Sequence, residues 1–203
     1  LLTHVQSGEA WDFMGRSRGI KILPPRTGEK DSDWYRGTAD AIFQNIDYIN
    51  SHNPERVLIL SGDHIYYMNY EEMVSFHRGK AAQATIAMME APEKDLSHLG
   101  IAVIDKNQRI VEWQEKPPKP KNNLASMGIY VFNADFLLET LQSGIGHDFG
   151  YYIIPEIIKK AQVYAYIFRD YWRDVGTLRA YWEANMDIIR PESGFRPESW
   201  GVR

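Results

Sequence analysis

The sequence contains no cysteine, no long apolar run and no glycine-rich phosphate loop. The lack of cysteine excludes disulfide frameworks, zinc–thiolate clusters and thiol nucleophiles, and it fits a reducing compartment such as the cytoplasm. No stretch of about 18 apolar residues could cross a membrane, and Leu1 to Phe13 lack the pattern of a secretory signal. Neither GxxxxGK[ST] nor GxGxxG occurs, so no standard phosphate-cradling loop can be assigned.

The composition is typical of one globular domain. Its 203 residues are 44% hydrophobic, which suffices for one sizeable core. The net charge is -4, and the basic residues are scattered among acidic ones instead of forming a basic stripe. We therefore expect neither nucleic acid nor a membrane among the partners. The histidines show no metal-ligand spacing such as two histidines four residues apart with a carboxylate between them.

Short β-branched runs alternate with helical patterns along the chain. Strands are predicted at residues 56–60, 84–89, 100–104, 109–114, 127–132 and 163–168, with 100–104 and 109–114 forming a hairpin. A helix is predicted before the first strand, with Thr38 as its cap and Ile42, Ile46 and Ile49 on one face. Two more helices are predicted at 134–141, with Asn133 as the cap, and around 155–160. The last predicted helix follows the cap Thr177 and carries an apolar stripe of Leu178, Tyr181, Trp182, Met186 and Ile189. This pattern predicts an α/β fold with a mixed, mostly parallel sheet flanked by helices.

Two aspartates stand where ligands bind in such sheets. Asp63 follows the buried run at 56–60 and a glycine, at a strand's carboxyl end. Asp174 precedes a glycine turn and a helix start, and it could meet Asp63 in space. Magnesium is commonly held by one or two carboxylates with substrate phosphates, so such a pair suits phosphate chemistry. For each aspartate alone, capping a turn or the next helix is the commoner role.

Glu115 and Lys116 end a predicted strand, and Pro117 stiffens the backbone just after them. Lysine is a compact charge that suits a phosphate, and glutamate can accept hydrogen bonds from sugar hydroxyls. A charged strand end on the surface is the alternative interpretation of these residues.

Taken in order, six blocks of the sequence strongly resemble the bacterial glucose-1-phosphate adenylyltransferases. These blocks are Trp34–Ala41, Ser61–Tyr66, Glu115–Pro117, Ala125–Phe132, His147–Gly150 and Tyr171–Thr177. The resemblance implies a Rossmann-like nucleotidyltransferase fold and a cytoplasmic enzyme of glycogen biosynthesis. It would make ADP-glucose and pyrophosphate from ATP and glucose 1-phosphate.

The same resemblance implies roles for individual residues. Asp63 and Asp174 look like the Mg²⁺-binding pair, and with Lys116, which would hold the sugar phosphate, they would be the catalytic residues. Contacts with glucose 1-phosphate are implied for Gly100, Glu115 and Ser126, a place near the sugar for Asp148, and a place beside the substrates for Tyr35.

The sequence also departs from the family pattern. The family's amino-terminal GGxGxRL signature has no counterpart in this sequence. In the family, a left-handed β-helix used for assembly and allosteric control follows the catalytic domain, and here it would follow the last helix. We therefore expect residues 1–190 to be part of the catalytic domain, and 191–203 to be a tail or the start of a linker. With the β-helix domain the protein would be a homo-oligomer, a tetramer in the family. At Tyr151 and Tyr152 relatives usually carry Lys-Asp.

Two other functions remain open from the sequence. A related enzyme could use another nucleotide, such as UTP, although Trp34–Ala41 and Tyr171–Thr177 favour adenine. Alternatively, the chain could belong to a non-catalytic regulatory subunit of the same fold. The missing glycine-rich loop favours that reading, and the retained Asp63, Lys116 and Asp174 argue against it.

Overall fold

In this computed structural model, residues 19–25, 34–196 and 200 are described. The helices in these ranges are α1 (Thr38–Phe43), α2 (Ile46–His52), α3 (Tyr70–Gly79), α4 (Ala134–Gln142), α5 (Ile154–Lys160) and α6 (Leu178–Asp187). The strands are β1 (Arg56–Ile59), β2 (His64–Tyr66), β3 (Ala84–Glu90), β4 (Gly100–Ile104), β5 (Ile110–Glu115), β6 (Leu124–Asn133), β7 (Val163–Ile167) and β8 (Trp172–Asp174). Two 3-10 turns (Glu93–His98 and Pro191–Ser193) and a π-helical turn (Phe149–Ile153) are also present.

The main sheet has the order β5-β4-β6-β3-β7, and β1 pairs with β6 as well. The predicted α/β class, the six predicted strands and the β4–β5 hairpin are confirmed. The prediction of a mostly parallel sheet is wrong: among the described strands only β3 and β7 pair in parallel. A strand buried on both faces, as most of β6 is, gives the same apolar run in either direction. Strand direction is set by the connections, which the run does not encode.

The first predicted helix is two helices, α1 and α2, and Thr38 does not cap it. The carbonyl of His147 accepts the backbone N–H groups of Ala39 and Asp40 at 3.0 and 3.1 Å, so a distant backbone oxygen caps α1. The Thr38 hydroxyl instead accepts from the N–H of Phe149 at 3.2 Å. This contact ties the start of α1 to the π-helical turn.

Asn133 precedes α4 as predicted, but its side chain makes no capping hydrogen bond. Its amide nitrogen donates to the carbonyl of Ala82 at 3.0 Å, and its Oδ1 lies 3.0 Å from Nε2 of the buried His77. The other ring nitrogen of His77 lies 2.8 Å from the Thr85 hydroxyl. His77 is therefore a structural histidine that links α3 to β3 and β6.

The last helix confirms one prediction and contradicts another. Thr177 caps α6 by accepting the N–H of Ala180 at 3.1 Å. The predicted apolar stripe does not face the core: Leu178 is 89% exposed, and Tyr181, Trp182 and Ile189 are exposed as well. The helix buries Ala184 and Asp187 instead, and its Glu183 and Asp187 form ion pairs with Arg173 of β8.

The core lies on both faces of the main sheet. One buried cluster includes Phe132, Leu137, Phe149 and Ile154, and packs α4, α5 and the π-helical turn against the sheet. A second cluster, with Met73 at its centre, packs α3 on the sheet. Among the described residues, no helix combines the length and apolar character needed to cross a membrane.

Candidate active site

A small two-stranded sheet brings two distant acidic residues together. β2 and β8 pair antiparallel with His64 opposite Asp174, and the N–H of Val175 donates to the carbonyl of Asp63 at 2.9 Å. One carboxylate oxygen each of Asp63 and Asp174 and a ring nitrogen of His64 all lie within 4.8 Å of one another. Asp63 is exposed and the other two residues are partly exposed, so the cluster can be reached from solvent.

Asp174 also holds the turn that follows it. Its Oδ1 accepts the N–H of Gly176 at 2.7 Å. A Cβ at Gly176 would lie 3.0 Å from this oxygen and 3.5 Å from Oδ2 of Asp63, so a side chain there would crowd Asp174 and touch Asp63. Asp174 therefore does cap a turn, which is the commoner role of such an aspartate, and this hydrogen bond occupies one oxygen of its carboxylate.

The acidic pair borders a cleft of about 450 Å³. Lys116 lines the same cleft, directly after β5, with a left-handed backbone (φ 46°). Its Nζ lies 5.9 Å from the centre of the Tyr151 ring. The structure thus brings Asp63, Lys116 and Asp174 around one cavity.

Glu115 lies in a narrow slot between two glycines. Gly100 is opposite Glu115 in the β4–β5 register, and a Cβ at Gly100 would lie 2.8 Å from its Oε2. A Cβ at Gly150 would lie 2.8 Å from Oε1. The indole of Trp113 donates to the Gly150 carbonyl at 3.0 Å and to Glu115 at 3.3 Å. Partial burial raises the pKa of Glu115, and the charge of Lys116 opposes this rise.

Ser126 lies on β6 in the same region. Its hydroxyl accepts the N–H of Gly128 at 3.2 Å, and the side chain is buried. The phenol of Tyr130 interacts with Ser126 through a side-chain hydrogen bond and with the charges of Glu115 and Asp148 electrostatically. Burial raises the pKa of Tyr130, and the Ser126 hydrogen bond opposes this rise. Ser126, Glu115 and Asp148 thus all interact electrostatically with the partly buried Tyr130.

Asp148 and Tyr35 hold local structure in this molecule. Asp148 accepts the N–H of Tyr151 at 3.0 Å and the hydroxyl of Thr38 at 3.2 Å, and so fixes the start of the π-helical turn. Tyr35 donates to the carbonyl of Leu23 at 2.8 Å. In the part of the chain that the structure describes, neither residue lines the cleft beside Asp63.

His64 is a site residue that the sequence patterns do not single out. Its Nε2 lies 3.4 Å from Oδ1 of Asp63, and its side chain is only 8% exposed. The ring packs edge-on against Trp172, with ring centres 5.0 Å apart. A search for spaced histidines misses this residue, because its closeness to Asp174 depends on the β2–β8 register. Its place directly after Asp63 was the only local signal.

Arg173, also not selected, fastens β8 to α6. Its guanidinium pairs with Asp187 at 2.7 Å and with Glu183 at 3.0 Å. The hydroxyl of Tyr171 donates to Asp187 at 2.8 Å. Burial and this hydrogen bond raise the pKa of Tyr171 to about 12. Since two carboxylates already neutralise Arg173, its visible role is to hold the strand that carries Asp174.

A mixed α/β sheet with an acidic pair and a lysine around one cleft suits the binding of a divalent cation and phosphates. The family model described as nucleotidyl transferase matches residues 1–190, and the chain belongs to that family. It is similar to proteins named glucose-1-phosphate adenylyltransferase. The one from Thermotoga neapolitana is 46% identical over 202 residues, which cover 96% of this chain and 48% of that protein. The one from Clostridium acetobutylicum is 50% identical over 195 residues, which cover 93% of this chain and 51% of that protein. The chain thus spans about half the length of these relatives.

Proposed function

We propose that the full-length protein is a glucose-1-phosphate adenylyltransferase, which makes ADP-glucose and pyrophosphate from ATP and glucose 1-phosphate. The observation that carries the proposal is the convergence of Asp63, Asp174 and Lys116 on one cleft. The names of the similar proteins support the choice of adenine nucleotide and glucose.

The acidic pair fits a divalent cation of the Mg²⁺ type. Mg²⁺ prefers oxygen ligands and is usually held by one or two carboxylates together with substrate phosphates. Gly176 occupies Oδ1 of Asp174, which leaves Oδ2 of that residue for a metal, and Asp63 is open to solvent. When bound, Mg²⁺ would neutralise charge on the nucleotide phosphates.

The reaction needs little acid or base help. A phosphate monoester has a second pKa of about 6, so glucose 1-phosphate is largely dianionic near neutral pH. One of its phosphate oxygens attacks the α-phosphorus of ATP. A new P–O bond forms there as the bond to the α–β bridging oxygen breaks, and pyrophosphate leaves with that electron pair. The protein contributes position and charge to this step.

Residues on the Lys116 side of the cleft would bind the sugar phosphate. Lys116 is exposed, and its ammonium group is suited to a phosphate. Glu115, next to it, would accept hydrogen bonds from the glucose hydroxyls, and Gly100 leaves room for its carboxylate. Ser126 and Asp148 both interact electrostatically with Tyr130, as Glu115 does, and would complete the sugar side. For Tyr35, a place beside the substrates remains a proposal.

The wider setting follows from the same function. We place residues 1–190 in the catalytic domain and 191–203 after it, in a cytoplasmic homo-oligomer that serves glycogen synthesis. These statements concern the whole protein, of which the chain corresponds to about half the length in its relatives.

The test is pyrophosphate release by the full-length protein with Mg²⁺, with ATP or UTP as nucleotide and with or without glucose 1-phosphate. Release that requires glucose 1-phosphate and is much faster with ATP supports the proposal. A preference for UTP would make the protein a uridylyltransferase. No release from the folded protein with either nucleotide would favour a non-catalytic subunit.

A further inference from the structure

The side chain of His64 is largely buried beside the acidic pair, and its Nε2 contacts Asp63. Nε2 lies 3.4 Å from Oδ1 of Asp63, and the side chain is 8% exposed. Within the described part of the chain, the other ring nitrogen, Nδ1, is buried and has no hydrogen-bond partner. Nε2 therefore has the Asp63 carboxylate beside it, and a carboxylate oxygen of Asp174 lies within 4.8 Å of a ring nitrogen as well.

These contacts decide which nitrogen carries the proton of the neutral ring. In either tautomer the buried Nδ1 lacks a partner, which costs about 1–3 kcal/mol whether it is a donor or an acceptor. The difference lies at Nε2: a proton on Nδ1 would turn the Nε2 lone pair toward a carboxylate oxygen, whereas a proton on Nε2 places an N–H beside Asp63. The Nε2–H tautomer is thus the one that the surroundings favour.

The ring has little freedom to turn away from Asp63. It lies edge-on to Trp172, with 5.0 Å between ring centres. On the other side, a Cβ at Gly128 would lie 3.3 Å from its Cε1, so β6 packs closely against the ring. The backbone of His64 is held as well, because it pairs with Asp174 in the β2–β8 ladder.

We propose that His64 is a positioning residue: its Nε2–H faces Oδ1 of Asp63 and turns Oδ2 of that carboxylate toward Asp174 and the metal. Gly176 does the same for Asp174, whose Oδ1 it holds at 2.7 Å. Each carboxylate then has one oxygen facing a protein donor and one oxygen free. The inference rests on the proposed function, since it assigns a task at the proposed metal site.

The first test determines the tautomer of His64 in the metal-free wild-type protein. Long-range ¹H–¹⁵N correlation spectra of the protein with ¹⁵N-labelled histidine, at neutral pH, report the tautomer of each ring. The His64 signals are identified by their loss in His64→Gln. We expect the Nε2–H tautomer for His64, and an Nδ1–H tautomer would overturn the inference.

The second test is binding of Mn²⁺ alone, followed by electron paramagnetic resonance. Loss of an outer-shell partner typically weakens metal binding about 10- to 100-fold, and we expect such a loss in His64→Leu. His64→Gln places an amide N–H near the position of Nε2 and should restore most of the affinity. His52→Leu, which removes an exposed histidine at the end of α2, should bind as the wild type does.

The outcomes separate the inference from the proposed function. If Asp63→Asn abolishes Mn²⁺ binding but His64→Leu leaves it unchanged, the metal pair stands and the role of His64 is refuted. A directly coordinated nitrogen in the wild-type spectrum, lost in His64→Leu and not restored in His64→Gln, would make His64 a ligand and overturn the inference. Mn²⁺ binding that Asp63→Asn does not affect would refute the metal pair itself.

Discussion

The slot around Glu115 gives a sharp prediction for Gly150→Ala. Gly150 is buried in the π-helical turn, and an added Cβ would lie 2.8 Å from Oε1 of Glu115 and closer still to its Oε2. On the β4 side the carboxylate already lies against Gly100, where a Cβ would be 2.8 Å from Oε2. The methyl group must therefore displace the Glu115 carboxylate from its slot.

The size of the effect follows from these contacts. Overpacking of this kind costs about 1–3 kcal/mol of unfolding free energy. A hydrogen bond to a charged group contributes about 1.5–3 kcal/mol, so loss of the contact between Glu115 and the sugar would weaken glucose 1-phosphate binding about 10- to 100-fold. The affinity for ATP should change little, because Gly150 does not line the cleft that Asp63 and Asp174 border.

The assay is steady-state pyrophosphate release, with the KM measured for each substrate in turn, together with urea unfolding. Gly79→Ala is the matched control, because a Cβ at Gly79 meets nothing within 4 Å and the residue ends α3. A folded Gly150→Ala variant with an unchanged KM for glucose 1-phosphate would refute the assignment of Glu115 to the sugar. An equal rise of both KM values would indicate general distortion instead.

Three further predictions concern Lys116, the buried His77 and the cap Thr177. Lys116→Gln should raise the KM for glucose 1-phosphate about 10-fold or more and change the KM for ATP little; steady-state kinetics would contradict this if both KM values stayed constant. Burial lowers the pKa of His77, so the folded protein favours the neutral ring. The contribution of this residue to the free energy of unfolding is therefore complete above about pH 6.5, and it is lost as the pH falls below that value. Between about pH 7.5 and about pH 5.5 the urea midpoint of the wild type should fall more than that of His77→Gln, and equal falls would refute this. Thr177→Ala should cost about 1 kcal/mol in urea unfolding because it removes the acceptor for the Ala180 N–H, whereas a loss of similar size in Thr177→Ser would count against the cap.

Apolar runs in the sequence were enough to locate the strands of the main sheet, because burial selects them whatever their direction. They did not locate β2 and β8, which are short and only partly buried. Helix caps were predicted less well. Thr177 caps α6 through a contact three residues away, whereas the cap of α1 is the carbonyl of His147, far along the chain. Non-local capping leaves no trace in the residues that precede a helix.

The same distinction applies to the site. Asp63 and Asp174 could be singled out because each stands before or after a glycine turn at a strand end. His64 could not, since its contact with the pair depends on the register of two short strands. The exposed face of α6 is a further case: the spacing of Leu178, Tyr181 and Trp182 predicts an apolar stripe but not whether that stripe is buried.

The central claim is that Asp63 and Asp174 form the metal-binding pair of an adenylyltransferase. It is tested most directly by pyrophosphate release from ATP and glucose 1-phosphate with Mg²⁺, compared between the full-length wild type and Asp174→Asn. Asp170→Asn, which removes an exposed carboxylate outside the cleft, is the matched control. The account predicts that turnover collapses in Asp174→Asn and is unchanged in Asp170→Asn. Wild-type turnover in a folded Asp174→Asn variant would contradict it.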